Sequence, residues 1–292
     1  MIKTWVRMGV LALLWGSAFL WIKLALRGFT PIEIAVLRSV LGAAVLFVLA
    51  RIAGQRMPRG RAMWGRLVIA AFFCNAVPFA LFSIGEQTVD SGIAGVLNAT
   101  TPLWSLLIGL VLGAERGIHP ARLGGLLLGF AGVSLIFAPW QRAGLFGWGA
   151  LALVGAAASY AIAFAYMARK LAGTGGPVAI SAAQLAVASG LASLALPLEG
   201  ARPGFDGLAV LAVVLLGVFG TGITFYLNYR LIEDEGPTGA AVVGYLLPVV
   251  SVALGAVVLG EPVTPRVVAG MLVVLAGVGL TRTKPRRVRV AA

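Results

Sequence analysis

Ten apolar runs, each close to the length that crosses a lipid bilayer, follow one another along this chain: approximately 5–26, 31–50, 64–86, 91–112, 121–138, 146–169, 177–197, 207–230, 237–259 and 264–281. A helix needs about 20 predominantly apolar residues to span the hydrocarbon. Pro31, Pro120, Pro177, Pro237 and Pro265 stand at or near the start of a run, where a missing N–H costs a helix little. The basic segment 51–61 and the Gly-rich "GTGG" at 173–176 read as loops. With 60% hydrophobic and 11% charged residues, the chain has too little polar surface to cover itself in water. Its solvent is largely lipid, and the expected fold is an all-α integral membrane protein. Lys3, Arg7 and the first run have the look of a signal peptide, but that run continues to about Leu26 and many similar ones follow, so no cleavage is expected.

Charge sets the orientation. The formal net charge is +13, from 23 Lys+Arg against 10 Asp+Glu. The cations cluster between the runs, which marks topology rather than a nucleic-acid footprint. With the N-terminus in the cytoplasm, seventeen Lys/Arg fall in the inside segments and five outside, with Arg38 left inside a span. Ten spans then return the C-terminus to the cytoplasm. The single cysteine, Cys74, excludes an intramolecular disulfide and a thiolate metal site, and the single histidine, His119, excludes a two-histidine zinc site. No metal or cofactor is expected.

The halves resemble each other. Phe79, Pro102 and Glu115 have partners 146 residues on, at Phe225, Pro248 and Glu261, and Pro31 and Ile34 match Pro177 and Ile180. After a one-residue slip, Pro120, Gly125 and "AGV" (131–133) match Pro265, Gly270 and "AGV" (276–278). Each half has five spans, an odd number, so the second enters the membrane upside down. Residues 1–142 form one five-helix repeat, and 143–292 a second with a basic cytoplasmic tail. Many secondary transporters are organised in this way, with the site between the repeats near the midplane.

"LLWGSAFLWIKLALRGFTPIEIAVLR", "GVLNATTPLWSLLIGLVLGAE" and "GYLLPVVSVALGAVVLGEPVTPRVVAGMLVVLAGVGL" resemble the EamA family of the drug/metabolite transporter superfamily. The resemblance covers essentially the whole chain, and its order and doubling are more specific than any one motif. It implies ten transmembrane helices, as two inverted five-helix repeats around a central cavity, that export small metabolites across the bacterial inner membrane. Within the family the chain is most similar to the amino-acid exporters of the YddG type.

Polar groups inside a bilayer normally face the bundle interior or a water-filled cavity. The candidates for substrate binding are Trp15, Ser17, Arg38, Asn75, Phe79, Asn98, Ser159, Tyr160, Gln184, Thr224, Asn228 and Tyr245. Gln184 stands at the repeat position of Arg38. Gly16 and Ser17 serve either close helix packing or the solute directly. Gly109–Gly113 and Gly125–Gly129 read as packing pairs. Lys23 and Arg27 are expected to snorkel to the outer interface. Trp21 and Trp64 suit the aromatic belt.

Aromatic, amide and hydroxyl groups without a midplane acid suit a neutral or zwitterionic solute such as an amino acid. Its side chain stacks on Trp or Tyr, and its ammonium gains about 0.5–2 kcal/mol on a ring face. Arg38 is the cation available to a carboxylate, with Asn75 and Asn98 as amide donors; it serves equally as a structural partner of Glu33, Glu86 or nearby carbonyls. Glu33, Glu86 and Asp90 lie near the outer ends of their runs, so passage without strong proton coupling is expected. The alternative substrates are cationic drugs or nucleobase-like metabolites; nucleotide sugars would need several inward Lys/Arg. An enzyme has no support: HExxH and GxSxG are absent from the sequence, and no acid pair is expected within a plausible cavity. A scaffold or channel has no need of inverted symmetry. The expected partners are a small-molecule substrate and the lipid bilayer, with no nucleic acid, and the paired repeats make a monomer self-sufficient.

Overall fold

The structure, a computed structural model, describes residues 2–89, 91–111, 120–137, 147–171, 173–200, 204–228, 230–231, 243–244, 246–247, 250 and 263–281. Every element among the described residues is helical. In chain order, α1 is Ile2–Gly16, α2 Ala18–Ala25, α3 Pro31–Ile52, α4 Arg61–Ala71, α5 Val77–Thr88, α6 Ser91–Asn98 and α7 Thr101–Val111. Then come α8 Pro120–Phe137, α9 Trp148–Lys170, α10 Pro177–Ser193, α11 Gly207–Gly217 and α12 Pro265–Thr281. Among the described residues six helices are long and apolar enough to cross a membrane: Val6–Ala25, Pro31–Ile52, Arg61–Thr88, Trp148–Lys170, Pro177–Leu198 and Gly207–Asn228. Leu123–Ile136 and Pro265–Gly277 are shorter apolar helices. Most of the expected run 237–259 lies outside the described residues, as do Asp90, Gly113, Glu115, His119 and Glu261.

The helices are apolar on the outside and polar within. α3 exposes Val40, Phe47 and Val48 while burying Arg38 and Ser39. That is the distribution lipid imposes, because a polar group facing hydrocarbon has no partner. α3 starts at a capping box: Thr30 Oγ1 accepts from the Glu33 amide and Glu33 Oε2 accepts from the Thr30 amide, ahead of Pro31 at N1.

Three expected runs carry local breaks with identifiable causes. The run 91–112 divides into α6 and α7 because Pro102 supplies no N–H and crowds the carbonyl of residue 98. Thr101 Oγ1 donates to the Asn98 carbonyl at 2.7 Å, and Thr100 Oγ1 to that of Leu97 at 2.6 Å. Between α4 and α5 the chain makes a π-helical turn, Phe72–Ala76, so the Val77 amide reaches Phe72 O. Pro78 follows at once. Between α11 and Thr224 lies a second π-helical turn, Val218–Ile223. The two turns begin 146 residues apart, the repeat spacing read from the sequence. At Ser17, between α1 and α2, the chain remains helical, with Ser17 N bonded to Leu13 O and Trp21 N to Ser17 O.

Two antiparallel helix pairs join the halves. α3 packs along α10, and each caps the other's start: Gln55 Oε1 accepts from the Val178 and Ala179 amides at 3.1 and 3.0 Å, and Glu199 Oε1 from the Ile32 amide at 2.9 Å. Val178 and Ile32 are again 146 apart. α8 packs against α12 through glycines. A Cβ on Gly132 would lie 2.8 Å from Gly270 O, and one on Gly277 would lie 2.8 Å from Gly125 O and 2.5 Å from Gly129 N. The expected packing role of Gly125 and Gly129 is thus realised against α12.

Candidate functional site

Between the halves lies a cavity of about 500 Å³. Trp15 of α1 and Ala18, Phe19 and Ile22 of α2 line it at spacings of three and four, and Tyr160, Phe164 and Met167 of α9, with its C-cap Leu171, do so in the same manner. Phe19, Phe82, Tyr160 and Phe164 form a continuous aromatic wall, with successive ring centroids 5.7, 6.0 and 5.9 Å apart. Arg38, Asn98, Thr101 and Asn228 add polar groups, and no carboxylate lines the cavity among the described residues. The lining runs on to Gly173 and Gly175, in the loop between α9 and α10. There a smaller cavity of about 260 Å³ shares Gly175 and Ile180 with it and carries Arg56 and Arg59 at its rim.

The opposite end is closed. Lys23 Nζ donates to Glu86 O at 2.7 Å and Val89 O at 3.4 Å, and Arg27 pairs with Asp206 at 2.8 Å. Lys23, exposed at this end, satisfies carbonyls at the C-terminus of α5, where a cation is favoured. A Cβ on Gly28 would lie 2.9 Å from Ala209, and one on Gly85 would lie 2.6 Å from Leu153. At this end α11 packs along α2. At the other end the repeat-related surfaces, α4 and α9, touch only lightly.

Arg38 is the cavity's cation. Its Nε donates to Thr221 Oγ1 at 3.1 Å, and its guanidinium lies over the Phe79 ring, 3.7 Å from the centroid. Nη1 and Nη2 make no hydrogen bond among the described residues and border the cavity. Glu33 is bound into its capping box, and Glu86 is fully buried at the closed end with both carboxyl oxygens lacking a hydrogen bond. The hydrogen-bond partner of Arg38 is thus Thr221, while Glu86 lies within electrostatic reach of the guanidinium. Thr221 Oγ1 in turn donates to Leu216 O, a carbonyl of the widened turn.

The repeat mate of this pair is Gln184 with Asn75. Gln184 Nε2 donates to Asn75 Oδ1 at 2.6 Å. Gln184 stands 146 beyond Arg38, and Thr221 146 beyond Asn75. Asn75 and Gln184 are fully buried, and Asn75 Nδ2 and Gln184 Oε1 have no hydrogen-bond partner among the described residues. A buried unsatisfied polar group costs about 1–3 kcal/mol.

Of the residues singled out from the sequence, Trp15, Arg38, Asn98, Tyr160 and Asn228 line the cavity. Phe79 lies beneath Arg38, and Asn75 and Gln184 pair behind the wall. Ser17 donates to Leu14 O at 3.0 Å, and Thr224 to Phe219 O. Ser159 Oγ donates at 2.7 Å to Phe73 O, the carbonyl that the first π turn leaves unpaired. Gly16 serves close packing: a Cβ there would lie 3.0 Å from Leu247 O. Tyr245 lies outside the described residues. Sequence reasoning passed over Phe19, Ile22 and Phe164, which its own three-and-four spacing from Trp15 and Tyr160 would have found.

Comparison with known proteins adds the lineage. The EamA-like transporter family matches residues 4–138 and again 147–283. An uncharacterized transporter of Archaeoglobus fulgidus is 29% identical over 279 residues, covering 94% of this chain and 97% of that one. The uncharacterized inner membrane transporter YedA of Escherichia coli K12 is 28% identical over 257 residues, covering 86% of this chain and 81% of its own. A protein crystal structure superposes with a TM-score of 0.77 at 21% identity, over 96% of this chain and 97% of that one; at that identity it shows the fold alone. The chain is a multi-pass membrane transporter, not an enzyme, and it belongs to the EamA-like transporter family, with one family domain in each half.

Proposed function

We propose that the protein exports amino acids, aromatic ones included, across the bacterial inner membrane by alternating access between two inverted five-helix repeats, 1–142 and 143–292. The supporting observation is Arg38, whose unbonded guanidinium edge borders an aromatic-walled cavity. A carboxylate takes that edge by charge-assisted hydrogen bonds. An aromatic or aliphatic side chain packs on the wall, and the amides of Asn98 and Asn228 serve the remaining polar atoms. The ammonium rests on ring faces. Arg56 and Arg59 at the rim draw anionic groups inward. By the charge bias that rim is cytoplasmic, so the cavity described here is open to the inside and a solute loads there for export. The inner-membrane placement follows the naming of the Escherichia coli relative. Passage runs down the solute gradient, without a carboxylate in the cavity to carry protons. Cationic drugs are the poorer fit, because the cavity offers them a cation and, among the described residues, no acid.

The test is efflux of radiolabelled amino acids from proteoliposomes. Phenylalanine and tryptophan leave faster than from empty liposomes, and Arg38→Met abolishes the difference. No efflux of any amino acid above the lipid control, or full efflux through Arg38→Met, sinks the proposal. Efflux that always moved protons stoichiometrically would overturn the passive part of it.

A further inference from the structure

The two repeat-related polar pairs are not in equivalent states. Arg38 with Thr221 turns its free edge to the cavity; Gln184 with Asn75 is sealed and leaves one donor, Asn75 Nδ2, and one acceptor, Gln184 Oε1, without partners. Phe225, one turn beyond Thr221, lines the cavity, whereas its repeat mate Phe79, beneath Arg38, is fully buried. The packing differs in the matching sense: α11 is pressed along α2 at one end, whereas at the other α4 meets α9 over a smaller contact, through Leu67 and the Arg66 bond to Lys170 O. Two halves with the same architecture and opposite insertion have a second arrangement, in which each adopts the packing the other now has. The α3–α10 and α8–α12 pairs already run across the halves symmetrically and stay as they are.

We infer that Asn75 and Gln184 form a second solute contact, presented only when the cavity opens at the end now closed by Lys23 and by Arg27 with Asp206. The inference rests on the proposed amino-acid transport. In that arrangement the amide edge faces the cavity and Arg38 is sealed. The chemistry fits a zwitterion: Nδ2 donates to the carboxylate and Oε1 accepts from the ammonium, so both atoms gain the partners they lack. A neutral amide holds a carboxylate less tightly than a guanidinium does. The solute is gripped where it loads and loosely held where it leaves.

The test uses the solitary cysteine to advantage. In a Cys74→Ser background, Ala18→Cys, on the cavity lining with Arg38 intact, and Gln184→Cys are labelled with a membrane-impermeant maleimide in right-side-out and in inside-out vesicles, with and without millimolar tryptophan. Ala18→Cys reacts from the Arg56 side and is slowed by tryptophan; Gln184→Cys reacts from the opposite side. Gln184→Cys reacting from the Arg56 side, or from neither side, overturns the inference. If tryptophan protects Ala18→Cys in those cases, the transport proposal survives; if it does not, that proposal falls as well. Asn75→Cys repeats the comparison in case Gln184→Cys is not monodisperse on size exclusion.

Discussion

The glycine seam between α8 and α12 gives a prediction with a magnitude. A Cβ at Gly277 meets Gly129 N at 2.5 Å, Gly125 O at 2.8 Å and Gly129 Cα at 2.9 Å. All three are backbone, so no side chain can turn aside and the helix axes must separate. Overpacking of this kind costs about 1–3 kcal/mol. Replacing Gly by Ala inside a helix returns about 0.8–1 kcal/mol of backbone propensity. The net for Gly277→Ala is a loss of up to about 2 kcal/mol, a fall in Tm of up to about 8 °C at about 2–4 °C per kcal/mol. Gly190, in α10, has nothing within 4 Å of its would-be Cβ. Gly190→Ala therefore receives only the propensity gain, and its Tm rises by about 2–4 °C. Gly132→Ala, related to Gly277 by the repeat, costs about the same as Gly277→Ala. The double variant costs less than the sum, because one separation relieves both contacts. The assay is unfolding in detergent, followed with a thiol-reactive fluorogenic dye that reacts with the buried, solitary Cys74 as it becomes exposed. Equal Tm values for Gly277→Ala and Gly190→Ala would refute the close approach of α8 and α12.

Three further outcomes are expected. Ser159→Ala lowers stability by about 1–2 kcal/mol by orphaning Phe73 O, yet the surviving protein keeps its efflux rate; a selective loss of efflux would show that the hydroxyl serves the solute. Gln55→Ala strips the acceptor from the Val178 and Ala179 amides and costs about 1–2 kcal/mol in the dye assay, whereas Gln55→Glu retains the acceptor and the stability. Asp206→Ala removes both the Arg27 contact and the α11 cap on Leu208 N, loosening the closed end; it speeds maleimide labelling of Gln184→Cys from that side, and unchanged labelling would mean the contact is not part of the seal.

Much of the architecture was legible because lipid demands long apolar runs and because copied units keep their spacing. The 146-residue offset, read from a few residues such as Phe79 and Phe225, reappears in the helix caps at Ile32 and Val178 and in the pairs made by Arg38 and Gln184. Individual site residues were harder. A Ser or Thr in a membrane helix has two outlets of similar worth, a carbonyl one turn back or a cavity. Ser17 and Thr224 took the first, and no pattern in the sequence distinguishes them from Thr101, which borders the cavity and still bonds back to Asn98. The break between α6 and α7 had a visible cause in Pro102. The π turns had only a hint in Pro78, since an apolar run reads the same with or without one wider turn. The carbonyls that Lys23 reaches were not legible, because they depend on where α5 ends.

The paired wide turns also speak of ancestry. One surplus residue in a helix swings everything beyond it by about 100°, so shortening either turn alone would put the two halves out of phase with one another. A quirk found once in each copy belonged to the single unit before it was duplicated. The widened turn is thus older than the duplicated chain, and any redesign that removes one copy has to remove both.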